Sequence, residues 1–140
     1  MDKKQFTTRT LTLVSMYTYL NTDYSVPFLE ASLAFVDDDN NDFAYGFPLA
    51  TTPTARSEYE NFKNLFELSE CKRSSDMIGK KFIGLRISND DLSDDNPLAF
   101  VGLGSYSSDK FIELYPIYSI GIIFTRNELE KILEKKLSWN

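Results

Sequence analysis

The stretch "VPFLEASLAFVDDDNNDFAYGFPL", from Val26 to Leu49, holds two apolar segments on either side of an acidic run. In the first segment, 26–36, apolar residues alternate imperfectly with other residues, which is typical of a strand with one buried face. The second, 43–49, keeps period two, and Pro48 predicts that this strand lies at a sheet edge or ends there. The acidic run then becomes the loop of an antiparallel hairpin.

Further segments have the composition of strands, rich in Val, Ile, Phe, Tyr and Thr. They are 10–20, 80–87, 98–106, 110–115 and 117–124. The segment 88–97 between two of them is polar, ends in Pro97 and is expected to be a long loop.

Two segments change to helical spacing. In 57–71 an aromatic stripe that includes Phe62 predicts a helix with that stripe in the core, and Ser57 with Glu60 has the form of a capping box. In 125–137 a capping box of Thr125 and Glu128 precedes a second amphipathic pattern. The apolar residues of that second pattern are Leu129, Ile132, Leu133 and Leu137.

The order of these segments predicts the fold class. Strands cluster instead of alternating with helices, which favours an α+β fold over a parallel α/β one. We expect a largely antiparallel sheet of about five to seven strands with two amphipathic helices packed on one face. The length of 140 residues fits a single compact domain over 1–140.

The composition excludes several kinds of catalytic site. The chain has no histidine and one cysteine, Cys71, so a Ser-His-Asp triad, a Cys-His pair and a His/Cys zinc site cannot form within it. No internal disulfide is possible, and no apolar run reaches the length of a bilayer span or a signal peptide. We therefore expect a cytoplasmic protein with no cofactor, no membrane association and no enzymatic activity.

The acidic run fails as a calcium-binding EF-hand loop. Counted from Asp37, position six is Asp42 instead of glycine, and position twelve is Pro48 instead of glutamate. A looser cation site made of several carboxylates stays open as an alternative. The other acids within strands, Glu30 and Glu113, are expected on solvated strand faces.

Two further patterns favour structural roles. "GLG", 102–104, lacks the rest of a phosphate-binding motif and indicates a bend or bulge in a strand. Cys71 comes after a helical apolar pattern and is expected to be a half-buried structural thiol.

The charges are unevenly distributed along the chain. Residues 10–55 contain no Lys or Arg and carry a net charge of −6, which equals the net charge of the whole chain. Residues 87–109 also lack basic residues and carry −5. Acidic surfaces of this kind repel nucleic-acid phosphates and attract basic protein surfaces, although acidic loops also serve solubility alone.

Two functional hypotheses fit these features. The favoured one is a small acidic inhibitor that occupies a basic, nucleic-acid-binding surface of a partner protein, as DNA-mimicking phage anti-defence proteins of the anti-CRISPR kind or toxin-immunity proteins do. The alternative is a carboxylate-based small-ligand module or enzyme, with or without a divalent cation. For the first hypothesis we predict an interface without direct nucleic-acid binding. Its predicted residues are Asp37, Asp38, Asp39, Asp42, Asp90, Asp91, Asp94, Asp95, Tyr24 and Tyr106.

Overall fold

A computed structural model describes residues 5–23, 27–48, 56–88, 100–114 and 122–137. The strands are β1 (Gln5–Asn21), β2 (Phe28–Asp37), β3 (Asp42–Pro48), β4 (Lys81–Ser88), β5 (Phe100–Ser105) and β6 (Phe111–Glu113). The helices are α1 (Arg56–Ser69), α2 (Ser74–Met77) and α3 (Arg126–Leu137). Strands predominate and all pair antiparallel, so the predicted α+β class is confirmed. Within the described segments, no helix is long and apolar enough to cross a bilayer.

The six strands form one sheet in the order β3-β2-β1-β4-β5-β6. The long β1 joins its two halves, because β4 pairs with the first part of β1, 5–12, and β2 pairs with the second, 11–21. β3 is an edge strand and ends at Pro48, as the proline predicted. We call the second part of β1 together with β2 and β3 the arm.

The sheet curls around its main core. The rings of Phe43 in β3 and Phe100 in β5 lie 4.8 Å apart between centroids, although three strands separate β3 from β5. In a flat sheet two strands so placed would be roughly 19 Å apart. The concave surface, which we call the inner face, contains the fully buried Leu11, Leu13 and Phe82.

Helix α1 closes the inner face. Phe62, only 9 % exposed, contacts the rings of Phe47 and Phe66, and Leu65 and Leu68 join the same apolar cluster. The predicted core role of the aromatic stripe is therefore confirmed. Because α1 begins at Arg56, Ser57 is the second residue of the helix and does not precede it, as the predicted capping box required.

Helix α3 packs on the opposite, outer face. Leu129 and Leu133 are buried against Leu85 and Phe111, which alternate in their strands with inner-face residues. The structure thus differs from the predicted packing of both helices on one face. The physical reason is that β5, buried at all six positions, is apolar on both sides and requires cover on both.

The start of α3 is the capping box predicted from the sequence. The Thr125 backbone N–H donates to the Glu128 carboxylate at 3.0 Å, and the Glu128 N–H donates to the Thr125 hydroxyl at 3.2 Å. Hydrogen bonding of the Glu128 carboxylate to the Thr125 backbone and side chain holds its pKa below the usual value. Of the predicted strand 117–124, only 122–124 lie within the described residues, and Phe124 forms an antiparallel bridge to Phe111.

The glycines of "GLG" allow close packing on the outer face. A Cβ on Gly102 would lie 2.7 Å from the Leu129 side chain, and one on Gly104 would overlap the Phe111 ring. The pairing of β4 with β5 shifts register next to Gly102, which agrees with the predicted irregularity. Glu113 is fully buried opposite Gly102, so the prediction of a solvated face for Glu113 is wrong. By register the Glu113 side chain lies on the outer face, which α3 covers. The sequence of β6 alone does not reveal this cover.

Candidate protein-binding surface

The acidic run is the turn between β2 and β3, as predicted. The Asn40 N–H donates to the Asp37 carbonyl at 3.1 Å, and Asn40 adopts the left-handed conformation, with φ of 64°, that asparagine tolerates well. The strands on both sides keep regular pairing up to Val36 and Asp42. The turn therefore has one defined conformation, fixed by the backbone.

The Asp37 side chain stabilises this turn through hydrogen bonds to its backbone. Its carboxylate accepts hydrogen bonds from the backbone N–H groups of Asp39 and Asn41, each at 2.9 Å, and from the Asn41 side chain at 3.1 Å. It also pairs with the Arg9 guanidinium at 3.0 Å and is 6 % exposed. Of the four aspartates in the run, Asp37 is thus the one turned inward.

The hydrogen bonds set the ionisation of Asp37. Burial by itself raises the pKa of a carboxyl group, but the donors from Asn41, Asp39 and Arg9 outweigh it. The pKa of Asp37 therefore lies below its usual value. Its negative charge stabilises the turn and is shared with Arg9.

The remaining acids of the run face solvent. Asp38, Asp39 and Asp42 are exposed, and the first two line a cleft of about 260 Å³ with Thr8 and Arg9. Exposed carboxylates fixed on a rigid turn present a constant negative charge to an approaching molecule. These three predicted interface residues are therefore accessible to a partner protein.

The second acidic block follows β4, which runs in the same direction as β2, toward the start of β1. Asp37 pairs with Leu11 but Ser88 pairs with Gln5, so the acidic turn and the end of β4 lie six β1 residues apart. The other predicted interface residues of this block, and one tyrosine, lie outside the described residues. These are Asp90, Asp91, Asp94, Asp95 and Tyr24.

Tyr106 lies on a neighbouring part of the surface. Its side chain is 57 % exposed after β5, and the Lys81 ammonium lies 5.6 Å from its ring centroid. It lines a cleft of about 460 Å³ together with Thr8, which also lines the cleft beside the acidic turn. The two clefts therefore share Thr8 as a lining residue.

The arm presents a second exposed surface, which was not predicted from the sequence. By strand register, one set of side chains lies on its convex side, where no described helix packs. We call this set the outer arm face. Its members are Ser15, Tyr17, Tyr19, Glu30, Ser32, Ala34, Asp42, Ala44 and Gly46.

Two tyrosines dominate the outer arm face. Tyr17 is 59 % and Tyr19 38 % exposed, and their ring centroids lie 6.0 Å apart. Tyrosine is among the residues that most often supply binding energy at protein interfaces. The spacing in "YTY" places both on one strand face, but only the folded structure shows that none of the described helices covers this face.

Glu30 is held in place on this face. The Tyr19 hydroxyl and the Asn21 side-chain amide both donate to its Oε2, the latter at 2.8 Å. The hydrogen bond to Glu30 is the main cause that raises the pKa of Tyr19 to about 12. The other carboxylate oxygen, Oε1, lies over Gly46, where any larger residue would overlap it. Glu30 thus lies on a partly solvated face, as predicted, but in a fixed orientation.

Cys71 has a structural environment. Its thiol lies 3.4 Å from the Ser69 carbonyl and 3.5 Å from the Asp76 carbonyl, and the residue is half-buried, as predicted. Across the described ranges, no three of the Cys, Asp and Glu side chains converge as metal ligands.

No family model, curated protein or solved structure matches this chain.

Proposed function

We propose that this protein is a small acidic inhibitor that binds a basic, nucleic-acid-binding surface of a partner protein. One observation carries the proposal. The arm is built entirely from residues 10–48, which contain no Lys or Arg, so this part of the sheet has only neutral and negative side chains. DNA-mimicking anti-defence proteins and toxin-immunity proteins are the types of inhibitor with this character.

In this proposal the acidic turn steers the approach of the basic partner. Charges on a protein surface accelerate the encounter with an oppositely charged surface, while aromatic contacts supply more of the affinity. Asp38, Asp39 and Asp42 are exposed on a turn whose backbone is hydrogen-bonded to Asp37, and this suits them to steering. The same charges repel nucleic acid, so the protein competes with nucleic acid for the partner and does not bind it.

The alternative of a carboxylate-based enzyme requires two buried acids in one pocket. Among the described residues, the buried acids are Asp37 and Glu113. Asp37 lies on the inner face beside Leu11, and Glu113 lies on the outer face opposite Gly102. The sheet separates them, which favours the binding function. We place the encounter in the cytoplasm, or in the host cytoplasm if the protein is encoded by a phage.

The test begins with capture of partners from a lysate and continues with surface plasmon resonance. Replacing Asp38, Asp39 and Asp42 by Asn should slow association several-fold at low salt and leave dissociation nearly unchanged. Raising the salt should shrink the effect, since exposed charges are screened over about 10 Å at 0.1 M. Asp37 is left intact because it braces the turn. A second variant neutralises Asp90, Asp91, Asp94 and Asp95.

A matched control separates steering from net charge. Replacing Glu70, Asp76 and Glu134 by their amides removes the same three charges from exposed positions outside the arm. This control should slow association much less. Equal slowing in the control, or unchanged association in both aspartate variants, would refute steering by the acidic turn.

A further inference from the structure

We propose that the outer arm face binds an arginine side chain of the basic partner, with Glu30 as its carboxylate and Tyr17 as the ring against which the guanidinium packs. This inference rests on the proposed function and names the surface that makes the contact. Three observations support it: no described helix covers this face, the arm contains no basic residue, and hydrogen bonds orient the Glu30 carboxylate.

The charge of Glu30 is not balanced within the arm. Its two hydrogen bonds come from neutral donors, Tyr19 and Asn21, and no described cationic side chain forms an ion pair with it. Both donors reach Oε2, and Oε1, which lies beside Gly46, accepts no hydrogen bond from the described residues. A carboxylate oriented by neutral neighbours is pre-organised for a cation.

Strand register makes Tyr17 a near neighbour of Glu30 on the same face of the sheet. Tyr17 pairs with Ser32 and Tyr19 pairs with Glu30, so Tyr17 and Glu30 are diagonal neighbours on one face. Diagonal neighbours in an antiparallel pair lie about 7–8 Å apart, within reach of one long side chain. The small Ser32 opposite Tyr17 leaves space above the sheet for that side chain.

Arginine fits this pair of groups better than lysine. Its planar guanidinium stacks on aromatic rings and donates through a rigid fork, whereas the lysine ammonium is a compact and strongly hydrated charge. Stacking on Tyr17 and donation to Glu30 use both properties at once. An apolar partner would bury Glu30 and Asp42 without compensation, and a phosphate-bearing partner would be repelled.

The experiment is a nuclear magnetic resonance titration with small probes. N-acetyl-arginine methylamide should shift the backbone amide signals of Tyr17, Tyr19, Glu30 and Ser32 in a saturable way, at millimolar concentrations. The citrulline analogue, which is neutral and nearly isosteric, should cause much smaller shifts, and the lysine analogue should bind more weakly than arginine. Equal responses to arginine and citrulline, or shifts confined to the 38–42 turn, would overturn the proposal.

Variants give the test its specificity. Glu30→Gln should abolish the response, because the amide still accepts from Tyr19 but lacks the charge, and Tyr17→Leu should reduce it. Glu134→Gln, which removes an exposed charge from α3, should leave it intact. A response that persists in Glu30→Gln would refute the role of this carboxylate.

The two proposals fail separately. The titration uses no captured partner, and the steering variants do not involve Glu30. Against a captured partner, Glu30→Gln should accelerate dissociation, whereas the acidic-turn variant should slow association. A partner that responds only to the acidic-turn variant would support the proposed function and refute the arginine site.

Discussion

The two halves of β1 have the same strand conformation and opposite environments. The first half, 5–13, has β4 on one edge and contributes Leu11 and Leu13 to the core. The second half, 14–21, has β2 on one edge only among the described strands, and its outer side chains meet solvent. The comparison shows that strand composition predicts the backbone conformation, whereas the cover supplied by other elements decides whether a face is core or binding surface.

The largest expected effect contrasts two leucines of this strand. Leu13→Ala should lower the free energy of unfolding by roughly 2–5 kcal/mol, because Leu13 is fully buried and its loss leaves a cavity. Leu20→Ala, at a side chain that is 56 % exposed, should change it by less than about 0.5 kcal/mol. Urea denaturation of both variants measures the difference. Similar losses would mean that Leu20 contributes as much packing as Leu13 in spite of its exposure.

Two glycines sharpen the contrast in packing. A Cβ on Gly84 would overlap the Phe100 ring in the core, so Gly84→Ala should cost roughly 1–3 kcal/mol. A Cβ on Gly46 would overlap only the carboxylate of Glu30, which can turn toward solvent if it gives up its hydrogen bonds to Tyr19 and Asn21. Gly46→Ala should therefore leave thermal stability nearly unchanged while it displaces Glu30. A large loss of stability in Gly46→Ala would show that the arm does not tolerate this displacement.

The aspartates of the turn provide a pH-dependent test. The lowered pKa of folded Asp37 means that its charge contributes stability at pH values above its unfolded pKa of about 3.9. This contribution is lost as the pH falls through the lower, folded pKa. Asp37→Asn should thus cost about 1.5 kcal/mol at pH 7, with a difference from the parent that shrinks under acid. Asp38→Asn should be neutral at pH 7, and denaturation curves at several pH values distinguish the two.

The smallest expected effect concerns the N-terminal cap of α3, the helix that covers the outer face. Thr125→Ala removes one half of the α3 capping box and should cost about 1 kcal/mol, whereas Thr125→Ser keeps the hydroxyl and should cost less. Hydrogen exchange should show faster exchange at the start of α3 and unchanged exchange in β2. Faster exchange throughout the arm would show that the two halves of the sheet are not independent.

Local patterns in the sequence were sufficient to predict most elements. The alternation in β2 and β3 predicted the hairpin, and the spacing around Phe62 and Leu129 predicted the two main helices. Local patterns cannot show which face of the sheet a helix covers. An amphipathic stripe indicates that one side of the helix is buried, but it does not indicate against which residues. The opposite placement of α1 and α3 and the burial of Glu113 were missed for this reason.

The site was only partly predictable, for a related reason. Composition identifies an acidic turn but does not distinguish Asp37, which accepts hydrogen bonds from the turn, from its exposed neighbours. The outer arm face combines residues from three strands, and its accessibility depends on which strands α3 covers. Both facts are tertiary and become visible only in the folded chain.

The register shift at Val14 has a consequence for insertions and deletions. Leu13 pairs with Phe35 and Ser15 with Ala34, so Val14 is an extra residue with no partner in β2. Deleting it restores regular alternation and leaves Met16 facing inward and Tyr17 outward. Deleting Thr18 instead makes Tyr17 and Tyr19 consecutive, so one of the two tyrosines must turn to the opposite face of the sheet. Val14 is thus a position at which the arm could change length during evolution while the binding face keeps its orientation.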